Sequence, residues 1–338
     1  MLNNEIVDNY INSTEFKRAF NVVDSYKLKS ELLGQGEYNI NYSFKLEDGK
    51  KLVIRFNTKS QMNLDNQIEY EYNALEILEK SERTPKVYYL DKTMDKLPYG
   101  VLVMEYLPGN PLIYEDDLEK AAYILADIHS TEIPENNSFV IPENPLYAML
   151  DECKNMSSVY LNSEKGDKKI KEAIKRLINN AENSLEGNYI CGEYRIINTE
   201  LNSGNFLING NEEDGVKNYL IDWEKPILGE IEQDLGHFLA PTTTFWKTDT
   251  ILSRKEIDRF VEIYKRAVNG RIDVSGIEEK LDIYLKMTCL RGITWCSMAW
   301  VEYQNPERAI KNEFTYNKIC SYLEERFLDN IEQTYFVD

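Results

Sequence analysis

The sequence predicts an α+β fold in which a small antiparallel β-rich N-terminal part with one main helix precedes a larger, mostly helical C-terminal part. Two observations carry this prediction. Between residues 31 and 106, short runs with strand-like alternation are separated by turn signals. From Asp117 onward, apolar residues recur mostly at helical spacing. We therefore expect two domains, over 1–107 and 108–338, with the boundary near Pro108.

The N-terminal elements follow from local periodicity and turn chemistry. The Asp48-Gly49 pair lies between two runs with strand character, which is the signature of a β-hairpin. Ile68, Tyr72 and Leu75 fall on one face of the main helix, which Thr84-Pro85 ends. The expected elements are a helical segment over 1–30, strands within 31–46 and over 51–56, the main helix over 64–79, and strands over 86–91 and 100–106.

For the C-terminal part, the sequence predicts helices with one β interruption. The expected helices cover about 118–130, 145–161, 166–185, 230–240, 253–268, 275–303 and 306–335. Between Ile196 and Trp223, two short apolar runs flank the turn-rich stretch 209–215, which predicts an antiparallel hairpin. Such a hairpin brings Asn205 and Asp222 to the same open end.

Composition and charge narrow the class of protein. With 39 Lys and Arg against 58 Asp and Glu, the net charge is −19, which argues against binding nucleic acid or an anionic membrane surface. There is no apolar run of about 20 residues and no signal-peptide pattern at the N-terminus. The five cysteines are scattered, as expected of free thiols in a reducing cytoplasm, and two histidines exclude a multi-histidine metal site.

Two features of the N-terminal part suggest phosphate chemistry. The turn Gly34-Gln35-Gly36 lies between strands, where glycines let backbone N–H groups approach a phosphate, although an ordinary hairpin turn has the same pattern. Arg55 is a cation inside an apolar strand. It either faces solvent from an edge strand or pairs with a carboxylate of the next helix, for which Glu69 and Glu71 are the candidates.

The open end of the β interruption collects oxygen ligands. Asn205 and Asp222, with Glu200 and Glu224 nearby in sequence, form an oxygen-rich group suited to Mg²⁺, and the alternative is a solvated polar loop end. Asp234 follows at the start of an apolar helix. It either caps that helix or braces the loop over 198–205.

Taken in order, these segments resemble the aminoglycoside phosphotransferase and choline kinase-like families, which share the two-lobed protein-kinase-like fold. The resemblance covers about residues 30–330 and is strongest at 196–238. It implies an ATP- or GTP-binding, Mg²⁺-dependent kinase that phosphorylates a hydroxyl of a small-molecule acceptor. A cationic acceptor is compatible with this resemblance. The implied nucleotide-binding residues are Gly34, Gln35, Gly36, Asn39, Arg55, Glu71, Met104, Glu105 and Tyr106. The implied metal ligands are Asn205, Asp222 and Glu224, the catalytic residues are Asn198, Glu200 and Asn205, and Asp234 is the structural brace.

The loop over 198–205 departs from the families' pattern, H-x-D-x-x-x-x-N. Asn198 replaces the histidine and Glu200 replaces the aspartate, while Asn205 matches the final asparagine. A kinase whose base is Glu200 and a pseudokinase-like nucleotide-binding protein are both compatible with this loop, as is an acidic interaction module with a decayed cleft. For an active kinase, the aromatic and acidic side chains expected beside the acceptor include Trp295, Trp300, Glu302 and Tyr303. The alternative for the two tryptophans is packing in the core.

Overall fold

A computed structural model describes residues 2–60, 62–185, 191–211, 215–305 and 312–336. Its internal contacts divide the chain into two compact units. The strand-rich unit comprises Met1–Leu112, Ile124–Val140 and Asn205–Pro226, and the helical unit comprises Ile113–Tyr123, Ile141–Gly204 and Ile227–Asp338. The chain crosses between these units several times, and the predicted boundary between residues 107 and 108 stays a prediction.

The strand-rich unit is built on one antiparallel sheet of five strands in the order β1-β2-β3-β5-β4. Its elements in this part of the chain are α1 (Asn4–Ile11), α2 (Thr14–Ala19), β1 (Ser30–Gln35), β2 (Asn39–Lys45), β3 (Lys51–Asn57), α3 (Gln67–Leu78), β4 (Val87–Asp91) and β5 (Gly100–Glu105). The sheet and its single main helix α3 confirm the predicted N-terminal architecture. The hairpin of β2 and β3 is in the register that places Asn41 opposite Arg55.

The first thirty residues differ from the single helical segment expected there. They form two short helices, because Ser13 accepts a hydrogen bond from the backbone of Phe16 and so begins α2 just after α1 ends. Phe16 packs edge-on against Phe44 of the sheet, with ring centroids 5.7 Å apart. The two helices thus cover one face of the sheet with aromatic side chains.

A separate two-stranded hairpin, the second hairpin, lies outside the five-stranded sheet and completes the strand-rich unit. As predicted, β7 (Phe206–Leu207) pairs antiparallel with β8 (Tyr219–Leu220); of the turn between them, residues 212–214 lie outside the described residues. An isolated bridge joins Asn110 to Ile208. Gly109 has a φ of +145°, and a Cβ there would lie 2.7 Å from the Cβ of Leu207, so the approach of these two segments requires glycine.

The helical unit contains the remaining helices and one more strand pair. Its elements are α5 (Pro145–Leu161), α6 (Lys168–Leu185), β6 (Tyr194–Ile197), β9 (Ile227–Glu230), α7 (Ile231–Leu239), α8 (Pro241–Lys247), α9 (Arg254–Val268), α10 (Ile277–Tyr303), α11 (Glu313–Tyr322) and α12 (Glu325–Tyr335), and α4 (Tyr114–His129) contributes its first part. The long helix α10 packs against α5, α7 and α11. This helix-rich composition confirms the predicted C-terminal architecture.

Three details of the helical unit correct the expected elements. Strands β6 and β9 pair antiparallel and enclose the second hairpin in sequence, a pairing that the β interruption alone did not predict. Helix α8 begins at Pro241, directly after α7, since proline suits the first turn of a helix. The expected helix over 306–335 is two helices that meet near Glu324, and its residues 306–311 lie outside the described part of the chain.

None of the helices in the described part of the chain is both long enough and apolar enough to span a bilayer.

Candidate active site

Arg55 is the central charge of the first candidate site, in the strand-rich unit. It lies on β3, is only 6% exposed, and donates from Nη1 to Glu71 Oε1 on α3 at 2.5 Å. Its Nη2 donates to Asp222 Oδ1 at 3.2 Å. Of the two candidate partners, Glu71 is therefore the one in contact, while Glu69 Oε1 accepts from Lys92.

Burial and charge act in opposite directions on this ion pair. Burial opposes the charge of Arg55, but the carboxylates of Glu71 and Asp222 outweigh it and raise the pKa of the guanidinium. Burial raises the pKa of Glu71 to about 7, although Arg55 favours its ionised form. The cation is thus permanent, and Glu71 is the member of the pair that can take up a proton near neutral pH.

Two side chains that support this site were not predicted. Asn41 Oδ1 accepts from Arg55 Nε at 2.9 Å, and the hairpin register that puts these residues opposite each other was the signal that could have found it. Gln67, at the start of α3, is buried and donates from Nε2 to the backbone oxygen of Glu224 at 2.5 Å. No periodicity signal distinguishes Gln67 from an ordinary first-turn residue.

The segment over 224–226, after β8, is held by α3 and by Asn39 at the start of β2. Tyr70 of α3 donates its hydroxyl to the backbone oxygen of Pro226 at 2.5 Å. Asn39 Nδ2 contacts Glu224 Oε2 and Asn39 Oδ1 accepts from Asn57 Nδ2 at 3.0 Å. The predicted nucleotide-loop residue Asn39 and the predicted metal ligand Glu224 are therefore direct neighbours.

Asn205 and Asp222 occupy the same end of the second hairpin. The backbone N–H of Ile221 donates to the backbone oxygen of Asn205 at 2.8 Å, which fixes the two predicted ligands beside each other in the fold. Asp222 has a φ of +70°, a left-handed conformation that is uncommon for a residue other than glycine and is concentrated at functional sites.

The donor set at this end fits Mg²⁺. Carboxylate and amide oxygens are its preferred protein ligands, and Mg²⁺ usually takes only one or two carboxylates because phosphate oxygens and water complete its octahedron. Among the described residues, no group of three or more His, Cys, Asp or Glu could hold a metal. Asn205 and Asp222 supply one amide and one carboxylate side chain at this end, which are oxygen donors of the kind that Mg²⁺ takes.

A cavity of about 250 Å³ adjoins these charges within the strand-rich unit. Beside Arg55, Glu71 and Asp222, its lining includes Val53, Leu75, Met104, Glu105, Tyr106 and Leu107. Leu107 lies two residues after the end of β5, and its backbone groups make no hydrogen bond to any described residue. The cavity therefore joins an apolar compartment with open backbone groups to a charged end.

The predicted glycine turn lies at the end of β1. Gly36 N–H donates to the backbone oxygen of Asn39 at 2.8 Å, which closes the turn, and Gln35 is the last residue of the strand. A Cβ at Gly34 would meet no atom of the described chain within 4 Å. Neither packing nor a positive φ within this chain requires glycine at that position.

The loop with the predicted catalytic residues begins in the helical unit. Asp234 accepts from the backbone N–H groups of Asn198 and Thr199, at 2.7 Å each, from its position in the first turn of α7. Asn198 Oδ1 in turn accepts from the backbone N–H of Glu200 at 3.2 Å. Thr199 has a φ of 74°, which is rare for a β-branched residue, so these bonds hold the loop in a strained conformation.

Glu200 lines the second candidate site, a cavity of about 440 Å³ within the helical unit. Its other lining side chains include Glu152, Trp246, Lys247, Arg291 and Trp295. Of the aromatic and acidic residues expected beside an acceptor, Trp295 lines the cavity, whereas Trp300, Glu302 and Tyr303 are not part of the lining. Trp300 packs against Tyr160 and Tyr303 stacks on Tyr316, with centroids 5.5 and 5.4 Å apart, because these positions of α10 face other helices.

Comparison with known proteins agrees with this arrangement. The family model described as phosphotransferase enzyme family, APH, matches residues 30–271, which is well over half of the chain. The chain therefore belongs to this phosphotransferase family. No curated protein sequence matches it.

Several solved structures share the whole fold at low sequence identity. Choline kinase from Cryptosporidium parvum aligns with a TM-score of 0.64 and 13% identity, over 98% of this chain and 97% of that chain. Spectinomycin phosphotransferase, solved with ADP and spectinomycin, aligns with a TM-score of 0.61 and 16% identity over 99% of both chains. Plasmodium vivax ethanolamine kinase aligns with a TM-score of 0.59 and 15% identity, over 95% of this chain and 89% of that chain. These likenesses confirm the protein-kinase-like fold.

Proposed function

We propose that this protein is a kinase that transfers the γ-phosphate of ATP or GTP, with Mg²⁺, to a hydroxyl group of a small molecule. The observation that carries this proposal is the buried Arg55, which contacts both Glu71 and Asp222 and lines a cavity that continues to the end of β5. A buried ion pair contributes little net free energy to folding, so stability alone does not account for Arg55. A cation that carboxylates hold at a cavity wall is suited to binding phosphates.

The nucleotide would be bound by the strand-rich unit. The base would occupy the apolar compartment beside Met104, Glu105 and Tyr106 and bond to the open backbone groups of Leu107. Arg55, oriented by Glu71 and Asn41, would bind the phosphates. The backbone of Gly34 to Gly36 would cover them, and this role accounts for a glycine at Gly34 that the chain's own packing does not require.

Asn205 and Asp222 would hold Mg²⁺, with Glu224 as a further ligand once it is released from Asn39. When bound, the ion neutralises phosphate charge and orients the transferred group. The carboxylates of Glu71, Asp222 and Glu224 near Arg55 would otherwise repel a nucleotide.

Glu200 would act on the acceptor. The acceptor oxygen forms a bond to the γ-phosphorus while the bond between that phosphorus and the β,γ-bridging oxygen breaks, so that ADP leaves. The hydroxyl proton passes to Glu200, the carboxylate that lines the cavity of the helical unit. Asn198, Thr199 and Asp234 would fix the backbone on which Glu200 depends.

Incubation of the full chain with Mg-ATP and a panel of hydroxyl and amino-alcohol compounds tests this proposal. The expected result is Mg²⁺-dependent formation of ADP and of a phosphorylated acceptor. A second candidate, a pseudokinase-like nucleotide-binding protein, is favoured by one specific observation, the replacement of the family's histidine and aspartate by Asn198 and Glu200. Thermal stabilisation by Mg-ATP without any phosphorylated product or ADP would support that candidate and contradict the enzyme.

A further inference from the structure

We propose that the acceptor carries an anionic group, such as a carboxylate, beside a flat apolar or aromatic portion and the hydroxyl that is phosphorylated. This inference rests on the proposed function in that it assigns the acceptor to the 440 Å³ cavity of the helical unit. It differs from what the net charge of −19 suggests, since an acidic protein is at first sight suited to a cationic acceptor.

The charged lining of this cavity is balanced rather than acidic. It contains two carboxylates, Glu152 and Glu200, and two cations, Lys247 and Arg291. Glu152 is already satisfied, because its two oxygens accept from Arg291 Nε at 2.8 Å and from Nη2 at 3.1 Å. A cationic acceptor would therefore meet no net negative charge in this lining, because Arg291 and Glu152 compensate each other and Lys247 balances Glu200.

The hydrogen-bonding groups left over in this lining are mainly donors. Arg291 Nη1, Lys247 Nζ and the indole N–H groups of Trp246 and Trp295 make no hydrogen bond to any residue that the structure describes. None of these groups can accept a hydrogen bond. A ligand that satisfies them must supply acceptors, and an anionic group supplies the strongest ones.

The apolar part of the lining defines the rest of the ligand. Trp246 and Trp295 meet edge to face, with ring centroids 5.5 Å apart at 87°. Trp295 is 40% exposed, so part of its ring is accessible in the cavity lining. This part of the ring offers an apolar surface against which an aromatic or alicyclic portion of the acceptor would pack.

Three probes with one framework and different charge test the inference. They are 4-(hydroxymethyl)benzoate, 4-(hydroxymethyl)benzylamine and uncharged 1,4-benzenedimethanol. Binding to the nucleotide-free full chain is measured by calorimetry, so the readout does not depend on phosphoryl transfer. We expect the benzoate to bind about tenfold more tightly than the benzylamine, with the diol between them.

A pair of charge-reversal variants separates a local contact from the overall charge. Lys247→Glu should lower the affinity for the benzoate about tenfold or more. Lys255→Glu changes the net charge equally but lies on α9, exposed and outside the cavity lining, and should leave that affinity within about twofold. Both lysines are exposed, so neither change should prevent folding.

The outcomes distinguish this inference from the proposed function. Tighter binding of the benzylamine, no binding of any probe, or equal effects of the two variants would overturn the anionic-acceptor inference. Preferential binding of the benzoate without phosphorylation would support the inference while counting against the kinase. Phosphorylation of the benzylamine alone would support the kinase and refute the inference.

Discussion

The two cavities of this protein treat charge in opposite ways. In the strand-rich unit, one buried cation, Arg55, is surrounded by Glu71, Asp222 and Glu224, so the cavity is acidic. In the helical unit, the cavity lining balances its acidic and basic groups and leaves donors unused. The net charge of −19 therefore does not predict the charge of a ligand in either cavity. On the proposed function, the first arrangement would need a divalent cation to admit a nucleotide, whereas the second would admit an anion directly.

The largest effect is expected at Arg55. Arg55→Met leaves Glu71 buried without its partner, which should lower the free energy of unfolding by about 3–5 kcal/mol and abolish stabilisation by Mg-ATP. Urea unfolding measures the first effect and a thermal shift with Mg-ATP the second. In the Arg55→Met/Glu71→Met double variant, stability should return because an apolar pair replaces the ion pair, but nucleotide binding should not. Restored nucleotide binding in the double variant would mean that Arg55 does not bind phosphates.

Glu200 should show the next largest effect, confined to the chemical step. Glu200→Gln should lower the rate of phosphoryl transfer by about 10²–10⁴ while leaving the Kd for Mg-ATP unchanged, because the substitution removes a base and no nucleotide contact. Turnover and nucleotide binding are measured separately. The matched control is Glu262→Gln on α9. This substitution removes an exposed carboxylate that is not part of the cavity lining. Undiminished turnover of the Glu200 variant would refute its assignment as the base.

Asp234 should link the stability of the helical unit to turnover. An amide at this position keeps one oxygen and loses the charge, so Asp234→Asn should lower the free energy of unfolding by about 1.5–3 kcal/mol. Turnover should also fall, because Asn198 and Thr199 lose the bonds that hold the loop, while the Kd for Mg-ATP stays unchanged. A variant as active as the wild type would show that the loop does not depend on this brace.

For a change of one pH unit, the smallest effect is expected from the titration of buried carboxyl groups. Burial raises the pKa of Glu71, and that of Glu232 in the helical unit, from 4.5 to about 7. The folded state therefore holds more protons than the unfolded state between these values, and stability falls as pH rises from about 4.5 to 7, by at most about 1.4 kcal/mol per pH unit for each group.

Two glutamine variants separate these titrations. Glu71→Gln and Glu232→Gln should each reduce the slope of the free energy of unfolding against pH. Of these two variants, Glu71→Gln alone should also change how the Kd for Mg-ATP depends on pH, because Glu71, unlike Glu232, contributes its charge to the pair with Arg55. An equal effect of the two variants on that Kd would remove the distinction between the two units.

The parts of the fold that depend on local signals could be predicted from the sequence. Asp48-Gly49 identified the first hairpin and apolar runs identified the second. The start of α8 carried a usable signal in Pro241 that periodicity alone did not reveal. The pairing of β6 with β9 joins segments about thirty residues apart, and short strands of this kind carry no mark of their partner.

The residues of the candidate sites also differ in how far the sequence predicts them. Residues near a turn or strand end, such as Arg55 and Asp222, could be singled out because polar groups interrupt apolar runs. The lining of the helical cavity could not, because the apolar residues of α10 are not confined to one face. Their spacing does not tell Trp295, which lines the cavity, from Trp300, which packs against Tyr160. Asn41 became apparent only once the strand register placed it opposite Arg55.

In the proposed function, the chain transfers phosphate from Mg-ATP to a small hydroxyl compound with Glu200 as the base. The most direct measurement follows the γ-phosphate of labelled ATP into the acceptor panel, for the wild type and for Glu200→Gln at saturating nucleotide. We expect a labelled, Mg²⁺-dependent product with the wild type and a rate of formation about 10²–10⁴ times lower with the variant. Mg-ATP binding by the wild type with no labelled product from any acceptor would contradict it.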